Sequence, residues 1–344
     1  LDARGLVRSA SRGDSTVLFE RDAMGGVVKE VQSIGDESFE VVTSYDADGR
    51  RTDRSTSTGH RLRLRKNSRG YVAWAELDGH ELRWKIDAMG RETELELGPG
   101  RTIRSRWDLG GRLVERTLPS DQTHRPRLDE PAWVGDERDT SHAYGYDVVG
   151  RLKDASRGHD AYGYRYDAVD QLIELAHSSG APRKLDYDRA RNPHEAGTTH
   201  DAGNRLSQDL RFTYRWDRDG RLVERVSRDG AQSWRFEWRD DDTLSAIVRP
   251  DGARVEFVYD AFGRRVRKRL LLRGVGGLSL QSETTFVWDR DTLCEELTRY
   301  ADGRQTRRSY MFRGEDFAPV AHVDHGAPDG GLRVYANDPN GTPD

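Results

Sequence analysis

Six copies of Asp-x-x-Gly-Arg, opening at Asp46, Asp87, Asp108, Asp147, Asp217 and Asp260, set a carboxylate and a guanidinium four residues apart along one 344-residue chain. Carboxylates in that number could supply a general acid and base. His322-Val323-Asp324-His325 holds two imidazoles and a carboxylate within four residues, half of a metal site. Cys294 is the single thiol, and aromatics interleaved with arginine could form a nucleic-acid or glycan platform. Each reading has a plainer rival. The carboxylates follow a repeat, so a structural turn already accounts for them. No second pair accompanies the histidines, alternation puts Asp324 on the face of His322 but not of His325, and both imidazoles read as loop residues. His159-Asp160 is a weaker pair. Cys294 reads as a strand residue. The chain has no P-loop, no G-x-S-x-G and no Cys-His pair. No polar cluster is expected away from the repeat, and hence no catalytic residue, no cofactor and no metal.

The repeat itself dictates local structure. Asp at the first position of a tight turn accepts hydrogen bonds from the following amides, and Gly at the fourth tolerates a positive φ. The repeat residues are therefore structural: Asp46, Gly49 and Arg50; Asp87, Gly90 and Arg91; Asp108, Gly111 and Arg112; Asp147, Gly150 and Arg151; Trp216, Asp217, Gly220 and Arg221; Tyr259, Asp260, Gly263 and Arg264; Trp288 and Asp289. The turn-opening position falls at residues 2, 22, 46, 67, 87 and 108, then at 147, 167, 188, 217, 239, 260 and 289. The gap before Asp147 contains Pro119, Pro126 and Pro131 and predicts a unit decayed into a loop. The 29-residue steps after Asp188 and Asp260 predict single units with insertions, the second with a hairpin tip at Gly274-Val275-Gly276-Gly277. Asp170, Arg191, Asp242 and Thr292 stand where Gly is expected, and Arg239 replaces the Asp; those turns are expected to differ in geometry.

Between the turns the apolar residues alternate, as in Trp234, Phe236 and Trp238, or Leu82, Trp84 and Ile86, which argues strand. A second turn lies midway, at Asp78-Gly79, Pro99-Gly100, Asp229-Gly230 and Asp251-Gly252, a hairpin signal. Each unit is two strands and two turns, and side-by-side units give one long antiparallel ribbon. The aromatics before the turns would stack as a ladder, and each motif arginine would pair with the aspartate of an adjacent unit.

Composition agrees with a wetted sheet. Charged residues are 34%, against about 25% in ordinary soluble domains, and apolar residues are also 34%. The 56 basic and 60 acidic residues give a net charge of −4, so no global field points to nucleic acid or membrane. The run Arg264-Arg265-Val266-Arg267-Lys268-Arg269 reads as a solvated strand face paired with nearby acids. One cysteine excludes an internal disulfide framework, and no apolar run approaches the roughly 18 residues of a membrane span. Without a starting Met or a signal peptide, the chain reads as a segment of something longer.

Tyr-Asp or Trp-Asp followed by x-x-Gly-Arg-Leu every 20 or so residues resembles the YD repeat of Rhs proteins. Thr285-Phe286-Val287-Trp288-Asp289 through Glu295-Glu296 resembles the block that closes the array. Phe317-Ala318-Pro319-Val320-Ala321 and Val334-Tyr335 through Gly341-Thr342-Pro343 are similar to the elements that follow it, and Asn204-Arg205-Leu206 matches a recurrent phrase. The resemblance covers essentially the whole chain. It implies an all-β fold of hairpins spiralling into part of a hollow cage, with residues 1–283 as the YD-repeat array and 284–344 as the closing block and start of the core C-terminal region in the same sheet. It further implies a shell, not an enzyme, that carries a C-terminal toxin domain of the same polypeptide, with a secretion-system adaptor or N-terminal plug as partner. Delivery between bacteria by a specialised secretion system such as type VI is implied, with the protein cytoplasmic beforehand and secreted or on the cell surface afterwards. An aspartyl autoprotease would lie beyond Asp344; Asp338-Pro339-Asn340-Gly341 fits the earlier family element better than a cleavage site. The alternative is a cell-surface adhesion or glycan-binding array.

Overall fold

The computed structural model describes residues 1–119, 141–194, 197–312, 318–328 and 330–339. The loop expected around Pro126 and Pro131, Phe317, and the stretch from Asn340 to Pro343 lie outside them. Among the described residues every regular element is a strand. Each strand pairs antiparallel with its sequence neighbours, a plain meander. One sheet runs from β1 (Ser9–Arg12) to β16 (Arg183–Lys184), with 16 strands, and a second from β17 (Thr199–His200) to β29 (Leu332–Val334), with 13. The expected single ribbon is thus broken once, between residues 184 and 199. The strands there shrink to two or three residues, too short to carry the ladder across. The division expected at 283/284 falls inside β25 (Gly277–Asp289), which continues in register through it.

Local sequence accounts for the meander. Asp78 and Gly79 both take positive φ, 48° and 90°, and close a two-residue hairpin between Leu77 and His80, the form that matches strand twist. The insertion after Asp260 is a long hairpin closed at Gly274 and Gly277. The step after Asp188 is not one enlarged unit: Asp201-Ala202-Gly203-Asn204-Arg205 forms a further motif turn, its Asp201 amide donating to Arg205 O at 2.9 Å. Asn204 supplies the positive φ there, at 60°, so a search for Gly in the fourth position passes over it.

The register slips by one residue at the aromatic before the turn. Arg215 faces Glu224, whereas Trp216 faces Leu222, and the same step occurs at Tyr45, Trp107, Tyr146, Tyr166, Trp238, Tyr259 and Trp288. A bulge re-aims the side chain it carries and steepens the twist, so each unit turns its ring in the same sense.

The two sheets pack on each other through two apolar clusters. Leu62, Leu77, Leu82, Trp84 and Leu95 of the first sheet meet Met311, Val320, Ala321 and Val323 of the second. Ile34, Phe39 and Val41 meet Val266, Val287 and Cys294. A fully buried aliphatic side chain contributes roughly 1.5–3 kcal/mol, so a few contacts per strand hold a chain with little apolar material. Leu77→Ala should lower the unfolding free energy by about 2–5 kcal/mol, measured by urea denaturation. An unchanged midpoint would show that the sheets do not bear on each other at this point.

Candidate functional site: a turn ladder and a buried seam

In the turn at Asp217 the Asp217 amide donates to Arg221 O at 2.9 Å, and the Gly220 amide to Asp217 O at 3.2 Å. Oδ1 of Asp217 accepts the amides of Asp219 at 3.0 Å and Arg221 at 2.9 Å, while Oδ2 accepts Nε of Arg221 at 2.7 Å. Nη1 of Arg221 then donates to the carbonyl of Arg239, the opening residue of the next turn, at 3.1 Å. One carboxylate closes the turn and orients an arginine that fastens the following turn. Asp87, Asp108, Asp147 and Asp260 hold Arg91, Arg112, Arg151 and Arg264 in the same way. These arginines therefore pair with the aspartate of their own turn and also reach the neighbouring turn through its backbone carbonyl, as Arg91 does at Asp108 and Arg151 at Asp167. The expected pairing with an aspartate of the adjacent unit is found in addition at two of them, Arg151 to Asp170 at 2.6 Å and Arg221 to Asp242 at 3.0 Å. Arg50 differs: Asp46 still caps its amide, but the guanidinium turns to Asp48 at 2.7 Å.

The positive-φ residue is Gly49, Gly90, Gly111, Gly150, Gly220 or Gly263 in six turns. Asp170, Arg191 and Asp242 take the same conformation at 66°, 67° and 61°, and their turns keep the same backbone hydrogen bonds. The altered geometry expected at these three is not found. The backbone pattern overrides the side-chain preference at a cost of about 1–2 kcal/mol per residue. The turn after Asp289 does differ: Asp289 pairs directly with Thr292 across Arg290 and Asp291.

The aromatic ladder is also built otherwise than the sequence suggests. Tyr45, Trp107, Tyr146, Tyr166, Tyr187, Trp216, Trp238 and Trp288 each donate to a backbone carbonyl one hairpin earlier, at 2.7–2.9 Å. At three of the rings a motif guanidinium lies over the aromatic of the next turn: Arg112 over Tyr146 and Arg151 over Tyr166, both at 4.8 Å, and Arg91 over Trp107 at 6.0 Å. Cation–π contacts of this kind contribute about 0.5–1 kcal/mol where exposed. Rings alternate with charges because the same arginine is pinned by its turn beneath the next aromatic.

A second constellation lies between the sheets and joins two turn residues, Asp78 and Asp289, to strand residues outside the Asp-x-x-Gly-Arg motif. Asp289 receives Arg51 at 2.6 Å. Arg54, 1% exposed, donates to Tyr310 O at 2.7 Å and to Nε2 of His60 at 3.0 Å. Because a guanidinium only donates, His60 Nε2 accepts, and the imidazole proton sits on Nδ1, 3.0 Å from Oδ1 of Asp78. His325 mirrors this: Arg307 occupies its Nδ1 at 2.9 Å, leaving Nε2–H for Asp78 Oδ2 at 3.0 Å and Ser309 Oγ at 2.8 Å. Glu295, fully buried, accepts the hydroxyl of Thr56 at 2.7 Å. Burial, reinforced by Arg54, favours neutral His60 over the opposing pull of Asp78, and burial with Arg307 does the same at His325. Burial works against the charge on Asp78, yet hydrogen bonds from His60, the Arg61 amide and Ser309 outweigh it and hold that carboxylate well below its usual range.

The expectation that no polar residues converge away from the repeat is therefore corrected. Ser309, His325 and Asp78 have the residue types of a hydrolytic triad but not its wiring. Serine and carboxylate both converge on Nε2, Arg307 blocks Nδ1, and Ser309 is fully buried. The arrangement joins sheets; it does not activate a nucleophile. His322 and His325 are also not loop residues but lie in β28 (Pro319–His325), where Asp324 neighbours His322 at 3.5 Å. Nor is the basic run wholly solvated: Arg264, 7% exposed, reaches Glu30 of the other sheet at 2.8 Å, and Arg267 reaches Glu37 at 2.6 Å. Cys294 is buried in β26 (Thr292–Tyr300), which pushes its thiol well above the usual range and leaves it inert. Among the described residues no group of acids, histidines and cysteine is placed to hold a metal ion.

The copies of the turn are not equivalent. Asp260→Ala removes one of the two carboxylates that the buried Arg264 holds and breaks the cap of its turn, and should cost about 3–5 kcal/mol. Asp217→Ala, at an exposed turn, should cost clearly less. Urea denaturation of the two variants side by side checks this; equal losses would mean that burial of the Asp260 turn adds nothing. Arg191→Gly should raise the midpoint, because glycine takes the positive φ of 67° at this position without the steric cost that arginine bears.

Comparison with known proteins gives the same architecture. The Teneurin YD-shell family model matches residues 125–268. The probable deoxyribonuclease RhsB of Dickeya dadantii is 32% identical over 278 residues, which are 77% of this chain and 18% of that protein. The toxin protein Tse5 of Pseudomonas aeruginosa is 29% identical over 333 residues, 86% of this chain and 24% of its own. The chain thus spans about a fifth of the length of the curated relatives it matches. Among solved structures, TcdB2-TccC3 superposes with a TM-score of 0.59 at 14% identity, over 96% of this chain and 20% of that one. The Photorhabdus luminescens Tc holotoxin pore gives 0.58 at 12% identity, over 97% and 20%. Hairpins in strict succession, a recurrent aspartate-capped turn and these relatives lead to one conclusion: the chain is a YD-repeat protein of the Rhs type, with the shell fold seen in Tc toxins.

Proposed function

We propose that this segment is wall: part of a shell that encloses and carries a toxin domain of the same polypeptide for delivery into competing bacteria. The observation that carries the reading is the absorption of the repeat chemistry into structure. The motif carboxylates cap turns, the motif arginines bridge turns, and the rings tie neighbouring hairpins, which leaves these groups no substrate to act on. Relatives named as a toxin and as probable deoxyribonucleases support a toxic partner, and we place that activity outside this stretch of sheet. The segment itself is then not an enzyme and needs no cofactor. The partners are the C-terminal toxin domain and, at the other end, an adaptor or plug of a specialised secretion system such as type VI. The protein would be cytoplasmic before delivery and secreted afterwards. The division at 283/284 would mark a change in repeat style within one sheet, not a hinge.

Limited proteolysis of the full-length protein tests this. The C-terminal toxin region should survive protease while the wall is intact and be digested once the wall is unfolded by urea. A cryo-EM map with no enclosed volume, or a toxin region cut at the same rate in both states, would overturn the proposal. Binding of the purified segment to a glycan array, with no protection of the toxin, would favour the adhesion reading.

A further inference from the structure

The seam around Asp78 carries a property that a shell does not require and that the turn repeat does not predict. Both of its histidines accept a hydrogen bond from an arginine, His60 from Arg54 and His325 from Arg307. Each spends its only N–H toward the one carboxylate of Asp78. An imidazole so placed has no room for a second proton, because the nitrogen that would take it already faces an N–H. The partners come from both sheets: Arg54 and Asp78 from the first, Arg307, Ser309 and His325 from the second.

We propose that this joint is an acid-sensitive latch: proton uptake at His60 or His325 sets N–H against N–H and loosens the two sheets from each other where residues 51–86 of the first face residues 292–312 and 319–325 of the second. The charges around it sharpen the effect. Arg51, Arg54 and Arg307 face the cluster, with Arg290 beside Asp289 at 3.8 Å, against the carboxylates Asp78, Asp289 and Glu295. The guanidiniums already match or exceed the carboxylates while both imidazoles are neutral, so each added proton adds positive charge without a new counter-charge in a site where His60 and Arg54 are each about 1% exposed. On the opposite face of β28, His322 has Asp324 at 3.5 Å.

The sign follows from proton counting. The closed seam binds fewer protons at these histidines than the open one, so its stability is complete above the ordinary histidine value of 6.5 and falls as pH drops below it. With two such groups, the closed-to-open ratio changes by at most about a hundredfold per pH unit. Asp78 acts in a separate window, since its carboxylate keeps its charge until far more acidic conditions. The inference concerns the joint alone and holds whether or not the sheets enclose a cargo.

Hydrogen exchange read by mass spectrometry, at pH 7.5 and 5.0 with intrinsic rates corrected on an unstructured peptide, tests it. In the wild-type chain, protection at residues 54–62, 305–312 and 319–325 should fall at least tenfold at pH 5.0, while the strand Ser233–Trp238, away from the seam, keeps its own. His60→Asn with His325→Gln, which retain a donor toward Asp78 but cannot titrate, should abolish the acid loss. His325→Gln alone, at the less buried of the two sites, should halve the slope on pH and serves if the double variant does not fold. Equal wild-type protection at both pH values, or an undiminished acid loss in the substituted chains, would overturn the proposal.

Discussion

A carboxylate that closes its own turn is the interaction on which this structure depends. An antiparallel meander of short hairpins has no long-range pairing to fix its register, so each turn must do so locally. Asp at the first turn position accepts two amides with one oxygen and fixes the chain reversal. Its other oxygen holds an arginine, which anchors the next turn and sits under the next aromatic. Turn, inter-turn link and ring contact are thus one device repeated. The bulge before each turn is part of it, because it swings the ring to the carbonyl one hairpin back.

This device explains how a chain with only a third of its residues apolar forms extended sheets. Register comes from turns and backbone, and the apolar residues are needed only where one sheet rests on the other. They concentrate there, in clusters drawn from both sheets. Between the clusters the space is filled by paired charge, a costly arrangement unless every group has a partner. The network meets that condition in part, through fixed tautomers at two histidines, while Arg54 Nε stays buried without a hydrogen-bond partner, and so it becomes a place where protonation matters.

Much of this was legible in residue order. Strand alternation, the paired turns, the long hairpin at Gly274-Val275-Gly276-Gly277 and the repeat positions all follow from nearest-neighbour chemistry. What was misread follows from neighbours that spacing does not name. Arg221 could pair with its own aspartate or with one of the next turn, and the turn geometry lets it reach both Asp217 and Asp242. Asp170, Arg191 and Asp242 look unfit for a left-handed position, yet the surrounding hydrogen bonds impose it. The extra turn at Asp201 hides because Asn204 does the work of glycine.

The sequence by itself determined the all-β meander and the roles of residues such as Asp217 and Gly220, because a four-residue turn is a local object whose energetics are complete within it. Tertiary structure alone decided the break into two sheets, the burial of Arg264 and the meeting of His60, Asp78 and His325. Asp78 and His325 lie 247 residues apart, with no period that relates them. Their contact depends on how two sheets lie against each other, and no local hydrogen bond encodes that angle.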